Sequence, residues 1–95
     1  MGKDKLWRFS EVKRFPNVIE SPLMEPFAQK GKWRQEIFKN NKPIVLELGC
    51  GKGEYAVGLG KLYPDKNFIG IDIKGNRIYI GAKEAIENKM DNVMF

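Results

Sequence analysis

Two acidic residues and the glycine-rich turn between them have the types and spacing to do chemistry in this sequence. Glu47 lies two residues before the run Gly49-Cys50-Gly51-Lys52-Gly53, and Asp72 follows nineteen residues after Gly53. Glycines permit positive φ angles and let the backbone approach a ligand without a Cβ in the way. An acid about twenty residues beyond such a turn is typical of a carboxylate that accepts hydrogen bonds from ribose hydroxyls. The pattern therefore predicts a site for a ligand that contains a nucleoside.

The spacing of the glycines excludes two common kinds of nucleotide site. The dinucleotide pattern G-x-G-x-x-G needs a glycine at position 54, where this chain has Glu54. A P-loop needs Gly-Lys followed by Ser or Thr, but Lys52 is followed by Gly53. What remains is G-x-G-x-G with an acid two residues before the first glycine.

Each candidate side chain also has a structural alternative. An ionised Glu47 within an apolar strand costs several kcal/mol unless it is paired, either with backbone N–H groups or with a positive group of a ligand; we favour the ligand. Asp72 either caps the next turn or binds a ribose, and its spacing favours the ribose. Cys50 is expected to fill space rather than act as a nucleophile. Lys52 is expected to be a solvated loop charge, the alternative being a contact with a carboxylate of the ligand.

Alternating strands and helices position these residues. Ile44 to Leu48 is a nearly continuous apolar run, typical of a parallel strand buried on both faces. The pattern continues with a helix over about 54–63, a strand over 67–73, a helix over about 75–89 and a strand that begins at 93. This order predicts an α/β fold with a parallel sheet and right-handed crossovers. A doubly wound fold has five or more strands, so we expect the first two to three strands of a Rossmann-like domain from a longer enzyme.

The segment before this pattern has a different character. Three prolines within residues 1–30 predict an irregular arm, and Trp7, Phe9 and Phe15 are expected to anchor this arm to the domain. The domain itself is expected to span 31–95 and to begin with a short helix over 31–41. In the predicted helix over about 54–63, Gly58 and Gly60 are expected to allow close approach of the helix to the sheet.

Composition limits the class of protein. The net charge is +5, and residues 1–16 hold five basic against two acidic side chains. This excess suits a polyanionic partner, but it also lies within the ordinary range for a small domain. No apolar stretch is long enough to span a membrane, no secretory signal is present, and one cysteine without any histidine offers neither a disulfide nor a metal cluster. We therefore expect a cytoplasmic protein without a metal site.

The glycine motif resembles the first motif of class I S-adenosylmethionine-dependent methyltransferases. Further segments are similar to the bacterial tRNA (guanine-N7)-methyltransferase family: Gly-Lys-Trp at 31–33, Asn-Lys-Pro-Ile at 41–44, and the stretches 46–55, 64–72 and 92–93. The resemblance implies S-adenosyl-L-methionine as cofactor and N7 of a guanine in tRNA as methyl acceptor. It assigns the cofactor to Glu47, Gly49, Gly51, Gly53 and Asp72, although the family often has Glu in place of Asp72.

The resemblance also implies what this chain lacks. The family's catalytic acid, in an Asp-Pro-Trp-type segment, and its further cofactor and tRNA contacts would fall beyond Phe95, so we expect no catalytic residue here and no activity from these residues alone. Lys13 and Arg14 of the basic arm are candidate tRNA contacts, the alternative being that the arm only packs on the domain.

Two other interpretations stay open. One is a small-molecule methyltransferase that uses the same cofactor half. The other is a nonenzymatic fragment whose open sheet edge, at residues 44–48, pairs with a second copy.

Overall fold

A computed structural model of the chain describes residues 2–20 and 31–95. The helices and strands follow one another in an α/β order, which confirms the predicted fold class. They are α1 (Gly2–Val12), a single π-helical turn (Trp33–Phe38), β1 (Ile44–Leu48), α2 (Glu54–Leu62), β2 (Asn67–Ile71), α3 (Gly75–Glu87) and β3 (Val93–Met94). No helix among the described residues combines the length and the apolar character that a membrane crossing requires.

The three strands form one parallel sheet in the order β1-β2-β3. Ile44 lies opposite Asn67 and Leu48 opposite Ile71, so β1 and β2 end side by side. The carboxyl ends of parallel strands are where α/β folds bind ligands. This register therefore brings the segments after Leu48 and after Ile71 to the same edge of the sheet.

The apolar core lies between the sheet and the helices α2 and α3. Its buried residues are Cys50, Ala56, Val57, Phe68, Ile78, Ala82, Ala85, Val93 and Phe95. Gly60 allows the expected close approach, because a Cβ built there would lie 2.6 Å from Cγ2 of Val93. The same expectation for Gly58 is wrong, since a Cβ there would meet nothing within 4 Å. Only one of the two glycines in α2 therefore faces the core.

The burial expected for β1 is also wrong. Leu46 is 54% exposed and Leu48 is 75% exposed. The physical reason is coverage: within the described part of the chain, β1 is an outer strand that packs mainly against β2, and no helix packs closely on its faces. An apolar run predicts a strand, but it does not say which strand has neighbours on both sides.

The first residues form a helix, which corrects the expected irregular arm. The first described proline, Pro16, lies beyond α1, so the helix itself contains none. The expected anchoring is confirmed for two aromatic residues: Trp7 and Phe15 pack on Tyr79 of α3, with ring centroids 5.3 and 5.6 Å away. Packing on α3 stabilises a helix that proline spacing alone does not predict.

Parts of the arm prediction fall outside the described residues, namely the segment 21–30 with its two prolines and the side chain of Phe9. The helix expected over 31–41 is confirmed as a shorter element, the π-helical turn. It ends at Phe38, and the next residue, Lys39, has a φ of 58°.

Candidate active site

The glycine turn joins the end of β1 to the beginning of α2. Gly49, Gly51 and Gly53 have φ angles of 65°, 56° and 74°, in the left-handed region that glycine adopts without steric cost. The N–H of Cys50 donates to the carbonyl of Ile71 at 2.9 Å, and the N–H of Gly53 donates to the carbonyl of Cys50 at 2.9 Å. The turn is thus bonded both to itself and to the end of β2. We call residues 49–53 the glycine loop.

The two halves of the glycine loop differ in accessibility. A Cβ built on Gly49 or on Gly51 would meet nothing within 4 Å. A Cβ on Gly53 would lie 2.5 Å from Cε1 of Phe95, so this glycine is packed beneath an aromatic ring. The open backbone of Gly49 and Gly51 is the part that a ligand can approach.

Asp72 ties the glycine loop to the turn before α3. Its Oδ2 accepts a hydrogen bond from the N–H of Gly51 at 2.8 Å, and its Oδ1 accepts one from the N–H of Lys74 at 2.8 Å. The Lys74 bond is the main cause of a lowered pKa for Asp72; the Gly51 bond and the charges of Arg77 and Lys74 add to it, against partial burial. Because each carboxylate oxygen has two acceptor sites, these bonds leave room for further donors. The capping role and a ligand-binding role are therefore compatible in this geometry.

Glu47 presents a buried acceptor to the same region. It lies on β1 opposite Gly70, and its Oε1 is buried with no hydrogen-bond partner among the described residues. Burial raises the pKa of Glu47, while the backbone N–H of Ala56 partly offsets that effect. A buried carboxylate oxygen without a donor carries a desolvation penalty that a positively charged ligand group would remove.

Cys50 is buried in the core, close enough to Asp72 and Glu47 for their charges to affect its thiol. Its side chain is buried, and burial raises its pKa to about 11, with the charges of Asp72 and Glu47 contributing. The thiol is therefore protonated at neutral pH and lacks the thiolate character that reactive cysteines need. The expected space-filling role is confirmed, as is the exposed position of Lys52.

A cavity of about 320 Å³ borders the glycine loop on the side of α1 and α3. Its lining residues are Arg8, Gly51, Lys52, Asn76, Arg77 and Ile80. A larger hollow of about 420 Å³ lies beside the π-helical turn and contains none of the predicted site residues. Lys13 and Arg14 are exposed after the end of α1 and line neither cavity. The structure thus brings Glu47, the glycine loop and Asp72 together, and leaves the two arm residues outside this group.

Sequence reasoning missed Gly81, which lets α3 contact the glycine loop. A Cβ on Gly81 would lie 2.5 Å from the carbonyl oxygen of Lys52 and 3.1 Å from Cα of Gly53. An isolated glycine within an otherwise amphipathic helix was the available signal, because such a glycine often has a packing reason. Gly81 therefore lets the backbone of α3 pack directly against the glycine loop.

Comparison with known proteins adds an independent line of support. Residues 41–95 match the family described as "Putative methyltransferase". The chain is 54% identical to the tRNA (guanine-N(7)-)-methyltransferase of Bacteroides fragilis strain YCH46, over 100% of this chain and 39% of that protein. It is 58% identical to the protein of the same name from Christiangramia forsetii, over 99% of this chain and 44% of that protein.

A more distant relative gives the same result. The tRNA (guanine-N(7)-)-methyltransferase of Geobacillus thermodenitrificans is 33% identical over 96% of this chain and 40% of that protein. The chain thus spans about two fifths of the length of these relatives. Because the family match covers more than half of its residues, the chain belongs to this methyltransferase family, as its resemblance predicted.

Proposed function

We propose that this chain forms the S-adenosyl-L-methionine site of an enzyme that methylates N7 of a guanine in tRNA. The names of the relatives support the reaction and its substrate. The observation that carries the cofactor assignment is the open glycine loop between Glu47 and the carboxylate of Asp72, where a buried oxygen of Glu47 has no partner in the described part of the chain. Since the proposed substrate is tRNA, we also infer that the protein is located in the cytoplasm.

The residues present fit this cofactor. The unpartnered Oε1 of Glu47 is suited to accept from an ammonium group, and such charge-assisted hydrogen bonds are the strong ones. The remaining acceptor sites of Asp72 suit the two ribose hydroxyls. The backbone at Gly49 and Gly51 is free of side chains that would obstruct the bound molecule. When bound, S-adenosylmethionine supplies an electrophilic methyl group on its sulfonium.

The proposed reaction requires little from these residues beyond positioning. Guanine N7 carries a lone pair and needs no strong base before it attacks a methyl group. The requirements are then alignment of the reacting atoms and exclusion of water, which together can account for a large part of a rate enhancement. Glu47, Asp72 and the glycine loop meet the first requirement by fixing where the methyl donor lies.

Calorimetry with S-adenosylhomocysteine tests the cofactor assignment on the chain itself. We expect Asp72→Ala to weaken binding at least about tenfold, since each hydrogen bond to a charged group contributes about 1.5–3 kcal/mol. Asp72→Glu retains the carboxylate and should keep most of the affinity. Asp65→Ala removes an exposed acid between α2 and β2 and serves as the matched control. Equal affinities for the wild type and Asp72→Ala would eliminate the ribose role.

The substrate is tested with the polypeptide that the complete gene encodes. Incubation with tRNA and methyl-labelled S-adenosylmethionine should give labelled 7-methylguanosine after nuclease digestion. Label in another nucleoside would contradict the proposed position of methylation. Label that enters only small molecules of a cell extract would instead favour a small-molecule methyltransferase.

A further inference from the structure

Three cationic side chains from three separate elements converge on the cavity beside the glycine loop. Arg8 comes from α1, Lys52 from the glycine loop, and Arg77 from α3. Their convergence depends on the packing of α1 against α3. We call this cavity the basic cleft.

Arg8 is held in place by the aromatic contacts between α1 and α3. Its guanidinium lies 5.5 Å from the centre of the Tyr79 ring, within the range of a cation–π interaction. Trp7 and Phe15 pack on the same ring, which is 8% exposed. The guanidinium is therefore positioned before any ligand arrives, which reduces the entropy lost on binding.

Among the residues that the structure describes, no ion pair neutralises the charges of the basic cleft. Within the described parts of the chain, the two ion pairs join Lys32 to Glu36 and Lys61 to Glu84, and neither involves the cleft. The first turn of α3 contains no acidic residue. Asp72 is close enough for the charge of Arg77 to lower the pKa of its carboxyl group, but among the described residues the two side chains form no ion pair.

We propose that the basic cleft binds phosphate groups of the tRNA backbone next to the methylation site. This inference rests on the proposed function, because it assumes that the partner is tRNA. Guanidinium groups pair with phosphate oxygens in a planar, bidentate geometry. The three positive charges exceed the single charge of a cofactor carboxylate and suit neighbouring phosphodiesters. Because Gly51 lines both the cleft and the open half of the glycine loop, phosphates held there lie beside the proposed cofactor site.

Fluorescence anisotropy with labelled tRNA tests the basic cleft, on the polypeptide that the complete gene encodes. We compare the wild type with Lys52→Gln, with Arg8→Gln and with the double variant Arg8→Gln/Arg77→Gln. At about 0.1 M salt each lost phosphate contact should weaken binding by roughly 5- to 10-fold. A plot of log affinity against log salt has a negative slope, and each lost contact should make that slope shallower by about 0.7–0.9. Lys89→Gln is the matched control, because this exposed lysine lies beyond the other end of α3 and outside the cleft. Its expected change is less than twofold.

A second measurement separates the possible ligands. The single variant Arg8→Gln, which leaves Asp72 and the residues that act on its charge unchanged, should bind S-adenosylhomocysteine as the wild type does, while losing tRNA affinity. Loss of S-adenosylhomocysteine affinity with unchanged tRNA affinity would assign the cleft to the cofactor and overturn the proposal. Unchanged tRNA affinity in all variants would overturn it too, while leaving the proposed function in place. Failure of the wild type to bind tRNA would count first against the proposed function.

One further variant distinguishes the effect of losing the positive charge from the effect of disturbing the structure. Arg8→Lys keeps the positive charge and should recover most of the tRNA affinity that Arg8→Gln loses. Thermal unfolding monitored by circular dichroism reports whether each variant folds. If the Arg8 variants do not fold, the exposed Lys52→Gln still decides the question, since an unchanged affinity and salt slope there would contradict the proposal.

Discussion

Replacing Gly81 by alanine should destabilise the chain, although alanine is the better helix former. Gly81 lies within α3, where alanine is favoured over glycine by about 1 kcal/mol. The new Cβ, however, would lie 2.5 Å from the carbonyl oxygen of Lys52. Real Cβ atoms essentially never approach within 3.0 Å, so the helix and the glycine loop must separate by at least about 0.5 Å.

The sign of the effect follows from which atom must move. The obstructing oxygen belongs to backbone, and the flanking loop residues are held by the bond from Gly51 to Asp72 and the bond from Gly53 to Cys50. A flexible side chain could rotate away, but this carbonyl cannot move alone. Overpacking costs about 1–3 kcal/mol, and the constrained loop places this case in the upper part of that range. After the gain in helix propensity, we expect a net loss of about 1–2 kcal/mol.

Gly58→Ala is the matched control, because the same substitution in α2 meets open space. It should stabilise the chain by about 0.5–1 kcal/mol. Urea unfolding followed by circular dichroism measures both variants. At about 4–8 °C per kcal/mol for a domain of this size, their melting temperatures should also differ clearly. The reasoning is refuted if Gly81→Ala is as stable as Gly58→Ala, or if it gains stability over the wild type.

Four further predictions concern the acids, the thiol and the outer strand. Because the pKa of Asp72 is lowered in the folded chain, ionised Asp72 stabilises the fold. This stabilisation is complete above the unfolded pKa of about 3.9 and is lost as the pH falls through the lower pKa of the folded state. The advantage of the wild type over Asp72→Asn in urea unfolding should therefore shrink from pH 7 to pH 3. The raised pKa of Glu47 has the opposite consequence, because its ionised form destabilises the fold as the pH rises. The stability of Glu47→Gln relative to the wild type should therefore be greater at pH 7 than at pH 4. An equal difference at both pH values would contradict the burial argument. Buried Cys50, with a pKa of about 11, should react with iodoacetamide at pH 8 about 100-fold more slowly in the folded chain than in urea. Finally, we expect the chain to dimerise through residues 44–48 and Leu46→Lys to weaken the dimer; a strictly monomeric wild type in light scattering would exclude this.

Local signals explain why the sequence predicted much of the α/β order. The apolar run 44–48 matches β1 at both ends, and the glycine at position 53 marks the boundary before α2. The predicted helix over about 75–89 is longer than α3 by two residues, and the second strand ends two residues earlier than predicted. Such ends depend on competition between neighbouring hydrogen bonds, which residue types do not encode strongly.

Packing partners explain what the sequence did not predict. α1 packs on Tyr79, more than sixty positions away, and the residues of the arm do not identify that partner. The exposure of β1 depends on which elements cover it, which an apolar run leaves open. At the site, the acids and glycines could be selected by spacing, whereas Arg8 and Gly81 reach the loop through the tertiary packing of α1 and α3.

The glycine loop is held from two sides, and this bears on how it would bind a ligand. Asp72 fixes the N–H of Gly51 from the side of β2, and Gly81 supports the backbone of Lys52 and Gly53 from the side of α3. A loop ordered before binding loses less conformational entropy when a ligand arrives. Cofactor affinity should therefore depend on residues that order the loop as well as on those that contact the ligand. Gly81→Ala would then weaken S-adenosylhomocysteine binding without removing any contact, whereas Glu47→Gln would weaken it while leaving the loop ordered.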